Sequence, residues 1–334
     1  MELLTQTDIL ILSLGTLILG MFILVKGGDW TIDGAVQIAR HYGMPPLLVG
    51  FTIVAFGTSL PELIASINAN LKGTPGLAVG NVIGSNIANI FLIAGVSALI
   101  SPLIGNLREL RNDMIMLALA TLVWAWLLIQ GGIGAMIGTG ALLTLVGYIA
   151  LQYHLTKKGA LKHADIKIQE AEAEQKAPSN HKRAILMVIG GLLGLAIGAE
   201  LLIRGAVASA RILEIPDSVI GLTIIAVGTS LPELVTCGIA ALKRQSDVII
   251  GNLIGSNVFN LMMILGSMGL VKTYDISVSE RPMLNQDLPI MLGVTGAFVL
   301  CLLLFKKIPR IVGALFVLAY IGYMILLAYQ SLQG

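Results

Sequence analysis

The sequence predicts an all-α polytopic membrane protein of ten transmembrane helices, arranged as two inverted five-helix repeats. Three observations lead there. Of 334 residues, 56% are hydrophobic and only 12% charged, with a mean hydropathy of +0.89; a soluble domain carries about 25% charged residues. Ten apolar runs are each long enough to cross a hydrocarbon layer of about 30 Å as a helix. The chain also repeats itself, at one fixed offset, along both halves.

In the first half the runs cover residues 8–26, 45–71, 75–101, 113–130 and 133–153. In the second they cover 183–205, 216–242, 247–270, 287–305 and 310–330. The first run lacks a basic flank, having only Glu2 and Asp8 before it, so it reads as a retained span rather than a signal peptide. Thr31 to Arg40 reads as a continuing broken or amphipathic helix. The domains are then 1–155, the first repeat; 156–182, a polar linker rich in Ala, Glu, Lys and Gln; and 183–334, the second repeat. The linker is too short for a folded domain and reads as a partly helical tether.

Gly50–Lys72 reads GFTIVAFGTSLPELIASINANLK and Gly221–Lys243 reads GLTIIAVGTSLPELVTCGIAALK, with 14 of 23 positions identical. GNVIGSNIANIFLIAG from Gly80 matches GNLIGSNVFNLMMILG from Gly251 at the same offset of 171 residues. Asp29 falls on Glu200 and Arg40 on Arg211. Five spans per half is odd, so the second half enters the bilayer upside down. With the N-terminus outside, inward segments hold 16 Lys and Arg against 5 in outward segments. The positive-inside rule therefore puts both termini outside the cell membrane and the central loop in the cytoplasm.

Several classes of function are disfavoured. A net charge of +2 with no basic cluster disfavours nucleic acid. Cys237 and Cys301 lie in apolar runs and read as packing residues, not a disulfide. His41, His154, His163 and His181 show no zinc or haem spacing. No ATP-binding loop occurs, so an ion gradient must supply any transport energy. No cofactor and no obligatory protein partner is evident; the partners are small cations and the lipid bilayer.

The GTSLPE motif, at Gly57–Glu62 and again at Gly228–Glu233, sets a glutamate deep inside an apolar span. Intramembrane carboxylates are costly, rare and usually functional. Thr58 and Ser59 precede Glu62 by four and three residues, which puts all three on one helical face, with Ser66 a turn further. Thr229 and Ser230 stand in the same relation to Glu233. Pro61 has no N–H for the carbonyl of Gly57, and Gly57 lets the backbone bend; Pro232 and Gly228 repeat the arrangement. Freed carbonyls, hydroxyls and a carboxylate suit a hard cation.

The second motif is GNxIGSNxxN. Asn81, Ser85 and Asn89 share a face, as do Asn252, Ser256 and Asn260. Their neutral oxygens suit cation coordination for Ser85, Asn89, Ser256 and Asn260. Asn81, Asn86 and their copies read rather as helix-to-helix glue, beside small-residue pairs such as Gly80 and Gly84. Two inverted halves, each with an interrupted helix and a midplane acid, follow the logic of secondary transporters.

The doubled GTSLPE and GSNxxN motifs resemble the alpha repeats of the cation/calcium exchanger superfamily, above all its sodium/calcium exchangers. The resemblance spans both halves. It implies that helices two, three, seven and eight form a core across which helices one and six slide, and that Ca2+ leaves the cell as Na+ enters. It implies ion ligands at Ala55 (main-chain carbonyl), Thr58, Ser59 and Glu62; Ser85 and Asn89; Ala226 (carbonyl), Thr229, Ser230 and Glu233; and Ser256. Where such exchangers often carry aspartate, this chain has Asn260. The centre thus has two carboxylates facing two carboxamides, with a formal charge of −2 that one Ca2+ or two Na+ neutralises.

Other readings stay open on sequence alone. Buried glutamates also carry protons, so H+/Ca2+ exchange is the alternative coupling, although the hydroxyls around the acids favour Na+. Mg2+ fits less well because it resists dehydration. An ion channel would bind the same cations. An intramembrane hydrolase would use two acids but leave the Thr, Ser and Asn oxygens without a task, so the chain reads as a transporter and not an enzyme.

Overall fold

A computed structural model describes residues 6–171, 181–213, 228–275 and 281–331. It is helical almost throughout, since helices satisfy their own backbone groups where no water is available. The helices are α1 (Gln6–Tyr42), α2 (Pro46–Thr58), α3 (Leu60–Leu71), α4 (Pro75–Ile100), α5 (Leu107–Gln130) and α6 (Ala135–Ala171). The second half contributes α7 (His181–Ile212), α8 (Leu231–Leu242), α9 (Ser246–Val271), α10 (Arg281–Phe305) and α11 (Arg310–Ser331). Eight are long and apolar enough to span a bilayer, and the bent pair α2 and α3 makes a ninth. The described end of the expected span 216–242 is α8; residues 216–227 lie outside the described residues.

Some element boundaries differ from expectation. Helix α1 runs unbroken for 37 residues through Thr31–Arg40, so this stretch is neither broken nor a separate amphipathic piece. No proline interrupts it, and Thr31 Oγ1 donates to Gly27 O at 2.8 Å along the same helix. It ends where Gly43 turns left-handed (φ 62°) and Met44 N–H reaches back to Ala39 O at 2.8 Å. The same turn closes α3 at Gly73 and α8 at Arg244 (φ 56°), which does a glycine's work at the repeated position. Helix α6 continues to Ala171, well into the expected linker.

The core is built on α9, whose most apolar stretch is buried throughout. Helix α9 packs on α2: a Cβ at Gly251 would meet Leu47 O at 2.2 Å, and one at Gly255 would meet Phe51 O at 2.4 Å. Only the missing side chains let the two backbones approach so closely. Helices α1 and α7 form a separate pair along a glycine seam. A Cβ at Gly20 would lie 2.5 Å from Leu202 N, one at Gly27 2.6 Å from Leu195 N, and one at Gly205 2.7 Å from Leu17 N. At one end of the pair the rings of His41 and His181 stack, 5.2 Å apart.

The halves are tied at their edges. Strand β1 (Leu103–Ile104) pairs antiparallel with β2 (Lys307–Ile308), joining the end of α4 to the α10–α11 connection. Ile133 and Tyr274 make the corresponding bridge from the other half. Buried Asp113 on α5 accepts hydrogen bonds from Tyr148 and Gln152 on α6, and Asp287 on α10 accepts from Tyr323 on α11 at 3.1 Å. Each half thus staples its fourth and fifth spans together.

Placing a side chain in the glycine seam tests the pairing of α1 with α7. Gly27→Leu should destabilise the detergent-solubilised protein by about 2 kcal/mol or more, because backbone atoms cannot yield. Gly15→Leu on the same helix, where nothing lies within 4 Å, should leave the melting temperature unchanged.

Candidate cation site

The site forms where broken helices meet. At Ser59 the backbone leaves helical geometry (φ −83°, ψ 1°), and α2 and α3 diverge by 44°. Ser230 repeats the break (φ −88°, ψ 6°) before α8. Pro61 and Pro232 occupy the first turns of the new helices, where a missing N–H costs nothing. Glu62 and Glu233 follow in those same first turns, where the helix dipole favours a negative charge. The bend is therefore at the serine. Gly57 itself stays helical and corrects the expectation that it provides the bend. Its bare Cα admits α7 instead: a Cβ there would come within 2.4 Å of the Leu192 methyls, and one at Gly228 within 2.6 Å of Ile203.

Both acids are almost wholly buried, Glu62 at 1% exposure and Glu233 at 2%. They lie within electrostatic reach of each other, and the hydroxyls of Thr58 and Ser59 approach Glu233 from the opposite half. Neither hydroxyl spends itself there: Thr58 Oγ1 donates to Val54 O at 3.1 Å, and Ser59 Oγ has no partner of ordinary hydrogen-bond geometry. Ala55, Ser85, Asn89, Ser230, Ser256 and Asn260 are also buried, and Thr229 is half-buried. The carbonyl of Ala55 accepts from Ser59 N–H at 3.0 Å. Ala226 lies outside the described residues.

Helices α4 and α9 complete the wall. Each widens into a π-helical stretch that begins at the motif's last asparagine: Asn89–Ala94 in α4 and Asn260–Leu265 in α9. Such bulges concentrate at functional sites, because they re-aim side chains and loosen carbonyls. A further π stretch, Gly50–Val54, lies one turn before the Thr58 segment. Nothing in the residue pattern announces these three stretches.

Most of the unpaired buried polar atoms among the described residues belong to the two motifs. Ser59 Oγ, both Glu62 carboxylate oxygens, Asn89 Oδ1, Thr229 Oγ1, Ser230 Oγ, Glu233 Oε2 and Asn260 Oδ1 are all buried without a hydrogen-bond partner. Each such group costs about 1–3 kcal/mol if nothing satisfies it, and more when charged. All eight are oxygens of residues singled out from the two motifs; the other unpartnered buried side-chain atoms among the described residues are Ser97 Oγ, Ser209 Oγ, Thr236 Oγ1 and the amide nitrogens of Asn257 and Gln286. An array of hard oxygen acceptors with two formal negative charges binds hard cations.

Around it stand residues that position these oxygens. Asn257 Oδ1 accepts from Asn89 Nδ2 at 3.3 Å, which turns the oxygen of Asn89 free. Asn81 Nδ2 donates to Ser66 Oγ at 3.1 Å, and its copy Asn252 Nδ2 meets Cys237 Sγ at 3.1 Å. Asn252 also accepts from Ser256 Oγ at 3.3 Å. Thr236, three residues after Glu233, is buried with Oγ1 unpartnered. Sequence reasoning missed it because Ala65 stands at the matching position of the first half, although its spacing from Glu233 was a usable signal.

Comparison with known proteins gives the same answer from both sequence and structure. A family model described as "Sodium/calcium exchanger protein" matches residues 12–154 and 183–329. The sodium/calcium exchanger MaX1 of Methanosarcina acetivorans is 31% identical over 344 residues, covering 94% of this chain and 97% of that protein. A putative antiporter, CaxA, of Alkalimonas amylolytica is 34% identical over 316 residues, covering 93% and 97%. The solved structure of the sodium-calcium exchanger NCX_Mj soaked with Na+ and Sr2+ superposes with a TM-score of 0.79 at 33% identity, over 93% of this chain and 97% of that one.

Neutralising either acid while keeping its shape isolates its charge. Glu62→Gln and Glu233→Gln should each lower saturable divalent-cation binding, measured by calorimetry on the purified protein, by about 100-fold or more. The melting temperature should hold or rise, because a buried carboxylate has been removed.

Proposed function

Because the chain belongs to the sodium/calcium exchanger family, we propose that it is a secondary active antiporter that exports Ca2+ in exchange for Na+ across the cell membrane. The observation that carries this reading is the set of eight unpaired buried oxygens, three on Glu62 and Glu233 themselves and five on motif residues from both halves. The ligands are Ala55 and Ala226 through their carbonyls, with Thr58, Ser59, Glu62, Ser85, Asn89, Thr229, Ser230, Glu233, Ser256 and Asn260. Residues 1–155 and 183–334 act as the two inverted repeats, and 156–182 as a cytoplasmic tether between them. The termini are extracytoplasmic, as the sixteen-to-five bias of Lys and Arg supports.

The mechanism follows from charge. Two carboxylates in a low-dielectric interior cannot both stay ionised without compensation. One Ca2+ or two Na+ supplies it, and the same oxygens cannot serve both sets fully. Binding of one species therefore expels the other, and the site exchanges faces only when compensated. The Thr and Ser hydroxyls suit Na+ better than a bare proton, so Na+ is the coupling ion. Asn89 and Asn260 keep the centre at −2, and a third acid would change the number of counter-ions required.

Radiocalcium uptake into proteoliposomes tests this. Na+-loaded vesicles should take up Ca2+ well above vesicles loaded with choline, and an outward proton gradient should not replace Na+. Uptake that ignores internal Na+ and follows the proton gradient would instead establish H+/Ca2+ exchange. Asn260→Asp should shift the Na+-to-Ca2+ coupling ratio or ion preference; unchanged values for both would discard the charge-count argument.

A further inference from the structure

At one end of the molecule, Lys243, which caps α8, donates to Asp29 and, at 2.7 Å, to Asp33, both on α1. The two aspartates stand four residues apart and so share the α1 face that meets α8. Partial burial works against the Lys243 ammonium, but the two aspartates outweigh it and hold its pKa above the ordinary lysine range. Beside this triad the packing is close: a Cβ at Gly28 would lie 2.7 Å from Ile239 and 3.0 Å from Val235.

The internal repeat provides a control within the same molecule. At the offset of 171, Lys243 corresponds to Lys72, Asp29 to Glu200, Asp33 to Arg204, Ile239 to Asn68 and Val235 to Ile64. None of the contacts recurs. Ile64 is 60% exposed and Asn68 is exposed. Lys72 is exposed and makes no ion pair among the described residues, while Glu200 pairs with its own neighbour Arg204 at 2.6 Å. Related halves with unrelated contacts mean that the α1–α7 pair leans toward α8 and away from α3.

We propose that Lys243, Asp29 and Asp33 form an ionic latch that clamps α1 over α8 and closes one end of the cation pathway, and that Lys72 and Glu200 form the counterpart at the other end. The inference rests on the alternating-access reading above. The two latches are unequal. Closing the second requires Glu200 to leave Arg204, and Arg204 stands where a second acid would be needed. The transporter therefore rests with the Lys243 end shut. In the proposed orientation that end is cytoplasmic, so the resting protein faces outward.

The test uses full-length protein in proteoliposomes with Cys237→Ser, which copies Ser66 of the first half, and Cys301→Ala. Single reporters, Ile239→Cys at the latched end and Asn68→Cys at the open end, are labelled with a membrane-impermeant maleimide. Lys243→Gln should raise the labelling rate at position 239 about threefold to tenfold, the range expected for two partly exposed ion pairs. Lys243→Arg should keep the parent rate. Arg204→Asp, on an exposed surface, should slow labelling at position 68 and speed it at 239 by strengthening the far latch. Unchanged rates in both Lys243→Gln and Arg204→Asp, in protein that still exchanges cations, would overturn the latch. Shifted rates in a protein whose Ca2+ flux ignores Na+ would support the latch and overturn the ion assignment alone.

Discussion

Two carboxylates in a bilayer interior demand compensation, and most of the architecture around them supplies or controls it. Glu62 and Glu233 are shut away from water, and the charge of Glu233 reaches Glu62. Ordinary stabilising partners such as arginine or lysine are not among their described contacts. What surrounds them is a set of neutral oxygens with free lone pairs. On the proposed reading, such a site repels itself when bare and relaxes when a cation arrives. Removing the acids would stabilise the protein and destroy its use, the usual bargain at functional sites.

Much of this was legible in the residues. The repeated GTSLPE marked both acids and both breaks, because proline and a buried glutamate are each costly in a spanning helix and no accident places them together twice. The asparagine and serine motif marked the remaining oxygens. The geometry of the backbone was less legible. The bend falls at Ser59 rather than Gly57, since the proline two residues later removes the hydrogen bond and the serine absorbs the turn. The π stretches at Asn89 and Asn260 have no composition of their own; they come from how α4 and α9 accommodate the facing helices. Thr236 and the Asp113 and Asp287 staples were hidden for a shared reason. Thr236, Asp113 and Asp287 fall on Ala65, Leu284 and Met116 at the 171-residue offset, and the staple partners Gln152 and Tyr323 share a position but not a residue type, so the repeat, the strongest signal the sequence carried, does not mark them.

The departures from that repeat matter as much as its agreement. On the alternating-access reading, matching halves build a site that both faces of the membrane can reach, while the mismatched edges set which face it meets at rest. Helices α1 and α7 are joined to each other by backbone-to-backbone contact along their glycines. They touch the core through side chains and a few charges. A pair that rests on the core through replaceable contacts suits a two-position device, and on the proposed reading the ions bias its position through the charge they bring to the centre.

The proposed exchange requires one cation to be held jointly by acids from opposite halves. A crystal soaked in Ca2+ and measured for anomalous scattering would locate that ion. A single strong peak is expected between the two carboxylates, with oxygens of both Glu62 and Glu233 at about 2.3–2.6 Å. A peak bound by one half alone, or sited away from both acids, would contradict the account.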